Sequence, residues 1–226
     1  MIIAERKPFA EIKAMLAPYQ KILIVGCGTC VAVCLAGGEK EVGLLASQLR
    51  LALGQEDKRL EIGEITVERQ CDLEFLRPLC DFTADYDAIV SMACGAGVQF
   101  LKQLCSLHPV FPAVNTTFIG VNNAVGYYTE ACRACHNCYL GITGGICPVT
   151  MCPKGLLNGP CGGTVNGHCE VDPEKECAWS RIYHRLELEG RLDNLKEILP
   201  LHPHDRTTTP GTVIHPAYKR RYGPNE

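Results

Sequence analysis

The chain has 226 residues, a net charge of −3 and 46% hydrophobic residues. Its acidic and basic side chains are mixed along its length, which argues against a nucleic-acid-binding protein and favours one or two globular domains. The first twenty residues carry charges where a signal peptide needs an apolar core, and no apolar run approaches the length of a membrane span. We therefore expect a cytoplasmic protein without a membrane span.

The first half of the chain alternates between predicted strands and helices. A leading amphipathic helix is predicted over 5–19. Short apolar, β-rich runs predict four strands, over 21–26, 60–68, 87–92 and 116–121. Helical patterns lie between them, over 29–53 with an interruption near Gly37 and Gly38, over 71–79 and over 97–107. This order predicts an α/β domain over residues 1–128, with a small, mostly parallel Rossmann-like sheet.

The second half has a different character. Residues 129–200 predict a cysteine-rich metal-binding domain that closes with a helix from Glu174 to Leu199. The glycine- and cysteine-rich part of this segment shows little periodicity, so we expect bound metal rather than an apolar core to organise it. Residues 201–226 contain four prolines and predict an extended tail.

Fifteen cysteines are too many for an ordinary intracellular domain, and their short spacings favour metal ligation over disulfides. Five of them follow predicted strands: Cys27, Cys30 and Cys34 after the first, Cys71 after the second and Cys94 after the third. Because parallel strands end at one edge of a sheet, these thiols are expected to share a site. We favour Cys27, Cys30, Cys34 and Cys94 as iron–sulfur ligands, with Cys71 as a spare or substitute, and a zinc ion as the rival occupant.

The spacing Cys132-x-x-Cys135-x-x-Cys138 is typical of three ligands to one [4Fe-4S] cluster. Cys147 is the favoured fourth ligand, with Cys152 and Cys161 as alternatives. A further set of four thiols predicts a second cluster or a structural zinc site, an alternative that stays open: Cys152, Cys161, Cys169 and Cys177. Cys80 and Cys105 have no companions in sequence and are expected to be small buried hydrophobes.

The stretch CYLGITGGICPVTMCPKGLLNGPCGGTVNGHCEV (138–171) resembles the small, MetV-type zinc- and iron–sulfur-containing subunit of heteromeric methylenetetrahydrofolate reductases. Four further stretches carry the same resemblance, VGCGTCVAVCLAGGEKEV (25–42), VERQCD (67–72), ACGAGVQ (93–99) and CAWSRIYHRL (177–186). The resemblance spans roughly residues 20–190.

The resemblance implies the electron-transfer subunit of a heterodimeric oxidoreductase in one-carbon metabolism, as in the Wood–Ljungdahl pathway of acetogenesis. Its partner would be a TIM-barrel subunit with FMN or FAD that reduces methylenetetrahydrofolate to methyltetrahydrofolate. Electrons would come from ferredoxin or a larger redox complex and pass through one or two [4Fe-4S] clusters, and zinc is a further possible metal. The alternative is a zinc-stabilised scaffold that docks the catalytic subunit and has no redox role.

Overall fold

A computed structural model describes residues 1–54, 60–105, 108–201 and 210–223, and divides the chain into two units, 1–130 and 131–226. Within these described ranges, none of the helices has the length and apolar character needed to cross a membrane.

The first unit contains two sheets. Their strands are β1 (Ile2–Arg6), β2 (Lys21–Cys27), β3 (Glu61–Val67), β4 (Ala88–Ser91), β5 (Val110–Pro112), β6 (Val114–Ala124) and β7 (Tyr127–Cys132). A four-stranded sheet has the order β3-β2-β4-β5, and all its neighbouring strands are parallel. This confirms the predicted α/β class and parallel sheet.

Helices cover both faces of the parallel sheet, which is why its central strands are apolar on both sides. The helices of the chain are α1 (Phe9–Leu16), α2 (Cys30–Val33), α3 (Glu39–Gly54), α4 (Leu73–Leu76), α5 (Cys80–Thr83), α6 (Gly95–Leu104), α7 (Pro148–Met151), α8 (Ala178–Leu188) and α9 (Lys219–Tyr222). One buried cluster joins α1 and α3 to Ile22, Ile24 and Val90. A second cluster joins α4 and α6 to Leu23, Val25 and Ile89 on the opposite face.

Two predictions for the first unit were wrong in part: the sheet to which the strand over 116–121 belongs, and the residue at which the first helix begins. The segment 116–121 belongs to β6, which pairs antiparallel with β1 in a separate sheet of order β1-β6-β7, and β5 is the fourth parallel strand. The predicted helix over 5–19 begins only at Phe9, and residues up to Arg6 form β1. Pro8 explains this boundary, because a proline disfavours helical conformation in the residue before it and is itself extended here (ψ 134°).

The second unit packs around α8. Trp179, Ile182 and Leu186 are buried there with Cys177, and a smaller cluster joins Tyr139 to Leu157 and Leu199. The cysteine- and glycine-rich segment therefore does bury apolar side chains, contrary to the expectation that metal alone organises it.

The closing helix is shorter than predicted. It ends at Leu188 because Gly190 adopts a left-handed conformation (φ +66°), and a 3₁₀ turn over Leu192–Lys196 follows. In the predicted tail, Pro216–Tyr218 form a 3₁₀ turn that leads into α9. The rest of the tail and the end of the predicted helix 97–107 lie partly outside the described residues, at 202–209, 224–226 and 106–107.

Candidate metal centre

The first group of thiols lies at the carboxyl edge of the parallel sheet. Cys27 is the last residue of β2, Cys30 is the first residue of α2, and Cys94 immediately precedes α6. The loop between Cys27 and α3 is closed by a hydrogen bond from the Cys27 N–H to the Gly37 carbonyl (2.9 Å). Only glycine fits at position 37, since a Cβ atom there would overlap the Met92 carbonyl oxygen.

Gln70 holds the chain that leads to Cys71 against this edge. Its side chain is fully buried, and its amide nitrogen donates to the carbonyls of Val25 (2.8 Å) and Gly26 (3.1 Å). Its amide oxygen accepts a hydrogen bond from the Ser91 hydroxyl (2.7 Å). Because these partners end β2 and β4, Gln70 joins both strands and fixes Cys71 beside them. This role was not predicted from the sequence, since a lone glutamine carries no motif.

The thiols of Cys71 and Cys34 have different neighbours. Burial raises the pKa of Cys71, and the neighbouring thiols Cys94, Cys27 and Cys30 raise it further. The Cys34 thiol donates instead to the Ile2 carbonyl (3.5 Å), and burial raises its pKa. Cys71 thus lies within electrostatic reach of Cys27, Cys30 and Cys94. Cys34 donates to the β1 backbone, although it also interacts with Cys30 and packs in one cluster with Cys27 and Cys94.

A second group surrounds one cavity of about 240 Å³ in the second unit, and its members are Cys132, Cys135, Cys138 and Cys147. The loop between the first three has left-handed conformations at Ala134 (φ +51°) and His136 (φ +67°). Such conformations are costly for residues with a Cβ atom and are commonest at functional sites. In this loop conformation, the Ala134 N–H donates a hydrogen bond to the Cys132 sulfur (3.4 Å).

A third group lines a much smaller cavity of about 20 Å³, and its members are Cys152, Cys161, Cys169 and Cys177. The one-turn helix α7 lies between Cys147 and Cys152, so the two thiols that flank it line different cavities. A tight turn at Asn166 (φ +52°) and Gly167 (φ +81°) pairs Val165 with His168. Asn-Gly is the usual sequence of such a type I′ turn, so this dipeptide is the sequence signal for the hairpin.

Backbone pairing beyond this turn places two of the thiols near each other. The Cys177 N–H donates to the Gly167 carbonyl (2.7 Å), and the Cys169 N–H donates to the Lys175 carbonyl (2.9 Å). Although burial acts against it, the pKa of Cys177 is lowered by hydrogen bonds from Thr164 (3.1 Å to its hydroxyl), Ser180 and the Trp179 backbone. A thiol at the start of α8 is therefore biased toward the thiolate, the form that binds metal.

The thiols line shared spaces without meeting at a common point. Among the residues that the structure describes, no three histidine, cysteine, aspartate or glutamate side chains form a group that could hold a metal ion as they stand. The donor sets are nonetheless those of soft-metal chemistry, because four thiolates suit either an iron–sulfur cluster or zinc.

Cys80 and Cys105 lie in an apolar cluster, as the expectation of small hydrophobes implies, but they are not separate thiols, since a disulfide joins them. No sequence pattern signals this bond, because the two residues are 25 positions apart and meet only in the apolar cluster that they share in the folded chain. The other thirteen cysteines, all within the described residues, are free thiols.

Fold and site together define an α/β protein with a second, cysteine-rich unit that presents eight thiols around two cavities. Residues 111–205 match a family model described as "Methylene-tetrahydrofolate reductase C terminal", so this segment of the chain is similar to that family. The match confirms the family resemblance seen in the sequence and relates the chain to an oxidoreductase. No curated protein and no solved structure matched the chain.

Proposed function

We propose that this chain is the electron-transfer subunit of a methylenetetrahydrofolate reductase complex, with two [4Fe-4S] clusters and one structural zinc ion. The observation that carries the proposal is the arrangement of Cys132, Cys135, Cys138 and Cys147 around one cavity inside the family-matched segment. The partner subunit would carry the flavin and the folate site, and the physiological donor would be ferredoxin or a larger redox complex.

Cavity size supports different occupants for the two thiol groups of the second unit. A cavity needs roughly 10–15 Å³ to hold one water-sized group, so the 20 Å³ space among Cys152, Cys161, Cys169 and Cys177 has room for a single ion. The 240 Å³ space around Cys132 and its companions is about twelve times larger and can take the eight core atoms of a cubane. We therefore assign the cluster to the larger cavity and zinc to the smaller one, where four thiolates are the usual structural ligands.

The first unit would hold the other cluster through Cys27, Cys30, Cys71 and Cys94. Cys94 immediately precedes the ten-residue helix α6, whose N-terminus favours thiolates and a negatively charged group. Buried Gln70 keeps Cys71 in this group. Cys34, a ligand in our sequence-based preference, would instead remain a thiol bonded to the β1 backbone.

When bound, the clusters supply one-electron transfer, and the chain's own residues set the conditions for it. The thiolates of Cys132, Cys135, Cys138 and Cys147 would hold the iron, the backbone N–H of Ala134 would stabilise negative charge on Cys132, and Val149 contributes an apolar side chain to the cavity lining. In the smaller cavity, Thr164 and the start of α8 stabilise Cys177 as a thiolate.

The proposal is tested by flavin reduction in the complex reconstituted from this chain and its flavin-bearing partner. We expect Cys135→Ser and Cys71→Ser each to lose about four iron atoms per chain and to slow flavin reduction by at least about tenfold. Cys34→Ser is the matched control, because serine can donate the same hydrogen bond to Ile2, and it should keep its iron and its rate.

Normal flavin reduction by the Cys135→Ser complex would contradict the electron-transfer role. That result, together with zinc as the sole bound metal, would establish the scaffold alternative. The observation that favours this alternative is the ion-sized cavity among Cys152, Cys161, Cys169 and Cys177.

A further inference from the structure

Cys80 and Cys105 are bonded to each other, apart from every thiol group assigned above. Cys80 is the first residue of α5, and Cys105 directly follows α6. Their Cα atoms are 5.0 Å apart, a separation that suits a disulfide. The thiols of the candidate metal sites are free, so bond formation distinguishes this pair.

The surroundings of the pair differ from those of the metal-site thiols. Both sulfurs belong to the apolar cluster formed by Leu76, Leu79 and Leu101, where a thiolate is poorly stabilised. Cys105 is buried, with 6% of its surface exposed, whereas Cys80 is half-buried. A reductant can therefore reach the bond through Cys80.

The helix α6 connects this bond to the first thiol group. Cys94 lies immediately before its first turn, and Cys105 caps its last turn. The ten residues between them form a rigid rod about 15 Å long. The bond fastens one end of this rod to α5, and the other end positions Cys94.

We propose that Cys80 and Cys105 form a reversible thiol–disulfide site for an external dithiol, and that the bond restrains the helix that positions Cys94. In the reducing direction, a thiolate of the dithiol attacks the Cys80 sulfur, the Cys80–Cys105 bond breaks, and Cys105 leaves as a thiolate and takes up a proton. The second thiol of the dithiol then displaces Cys80, which leaves as a thiol. The dithiol becomes a disulfide, and the pair has gained two electrons and two protons.

The test uses the full chain, equilibrated without oxygen in mixtures of reduced and oxidised dithiothreitol. After acid quenching, thiols are alkylated under denaturing conditions, and the peptides that contain Cys80 and Cys105 are quantified by mass spectrometry. We expect the bonded fraction to follow the dithiothreitol ratio as a two-electron couple, with the same curve from either direction. Full alkylation of both residues at every ratio, or a bond that excess dithiothreitol leaves intact in the folded protein, would overturn the proposal.

Hydrogen exchange tests the mechanical consequence. Reduction should accelerate exchange in α6 by up to about a few hundredfold, the limit that loop entropy sets for opening a crosslink between residues 25 positions apart. The amides of α3, on the opposite face of the sheet, serve as the internal control and should change less. In the double variant Cys80→Ser/Cys105→Ser, the exchange rate of α6 should match that of the reduced wild type. If the variant does not fold, the reduced and oxidised wild type still provide the comparison. Equal exchange of α6 in both states would refute the restraint.

Discussion

At the scale of single residues, neighbouring groups shift the pKa values of two thiols, Cys177 and Cys71, in opposite directions. Hydrogen bonds from Thr164, Ser180 and Trp179 lower the pKa of Cys177, while burial and nearby thiols raise the pKa of Cys71. Ionised Cys177 therefore stabilises the metal-free fold at pH values above its unfolded pKa, and this stabilisation is lost as the pH falls through the folded pKa. For Cys71 the sign is opposite, because its stabilising contribution is lost as the pH rises through its folded pKa.

This difference predicts two alkylation profiles in the metal-free protein. Normalised to its own maximum, the iodoacetamide rate at Cys177 should reach its midpoint at a lower pH than the rate at Cys71. Thr164→Val removes the hydroxyl that lies 3.1 Å from the Cys177 sulfur and should raise the Cys177 midpoint while leaving that of Cys71 in place. Coincident midpoints for the two thiols in the wild type would show that these hydrogen bonds have no effect.

Gln70 is expected to hold the Cys71 segment of the first thiol group in place. Gln70→Leu keeps a similar volume but leaves the Ser91 hydroxyl and two backbone carbonyls without their amide partner. We expect the free energy of unfolding to fall by about 2 to 4 kcal/mol and iron at the first site to be lost.

The matched control for this change is Gln99→Leu, since Gln99 is exposed on α6 and its side-chain amide donates to the Gly95 carbonyl of the same helix. It should alter the free energy of unfolding by less than about 0.5 kcal/mol in urea titrations. Equal effects of the two substitutions would remove the special role of Gln70.

At the scale of elements, glycine positions decide where helices stop. The end of α8 is set by Gly190, where the Arg191 N–H donates to the Leu186 carbonyl (2.8 Å) around a left-handed residue. Apolar residues continue at helical spacing past this point, at Leu192, Leu195 and Ile198, and for that reason the sequence pattern predicted one helix as far as Leu199. A single left-handed glycine ended the helix against that periodicity.

Gly190→Ala should destabilise the protein by about 1 kcal/mol, because the left-handed backbone is costly for alanine although a Cβ atom there would meet nothing within 4 Å. Gly141→Ala is the control in the same unit, since a Cβ atom at Gly141 also has open space and its φ is not left-handed. Thermal unfolding should show a lower Tm for the first variant and an unchanged or slightly higher Tm for the second. A loss of the same size in both would mean that the helix end is not set by backbone conformation.

Much of the parallel sheet could be predicted from the sequence, because buried parallel strands such as β2 and β4 are short apolar runs bounded by helices. The partner of β6 could not be predicted. Its strand character is clear, but pairing with β1 depends on a contact between residues more than a hundred positions apart, such as Ile2 with Ile119. Local periodicity indicates secondary structure and does not indicate such long-range contacts.

The candidate sites, like the fold, could be predicted only in part from the sequence. The spacing of Cys132, Cys135 and Cys138 is enough to predict that these residues lie together, since a short loop limits how far its thiols can separate. Spacing does not show which of them share a space with distant thiols: Cys147 lines the larger cavity and Cys152 the smaller, although one helical turn separates them. Our proposal of Cys71 in place of Cys34 rests on the packing of Gln70, which the sequence does not reveal.

At the scale of the whole molecule, the fifteen cysteines fall into distinct roles under our proposals. Two thiol groups would bind clusters, one would bind zinc, Cys80 and Cys105 form a redox pair, and Cys34 stays a buried thiol. This division explains why a chain with two apolar clusters in its second unit still needs eight thiols there. The clusters of Trp179 and Tyr139 shape the unit, and the metals would hold the loops between them.

The most direct test of this account is the amount of iron, acid-labile sulfide and zinc in the wild-type chain purified without oxygen. Two clusters and one zinc ion predict about eight iron atoms, about eight sulfide ions and about one zinc ion per chain. Zinc without iron or sulfide would contradict the electron-transfer role directly.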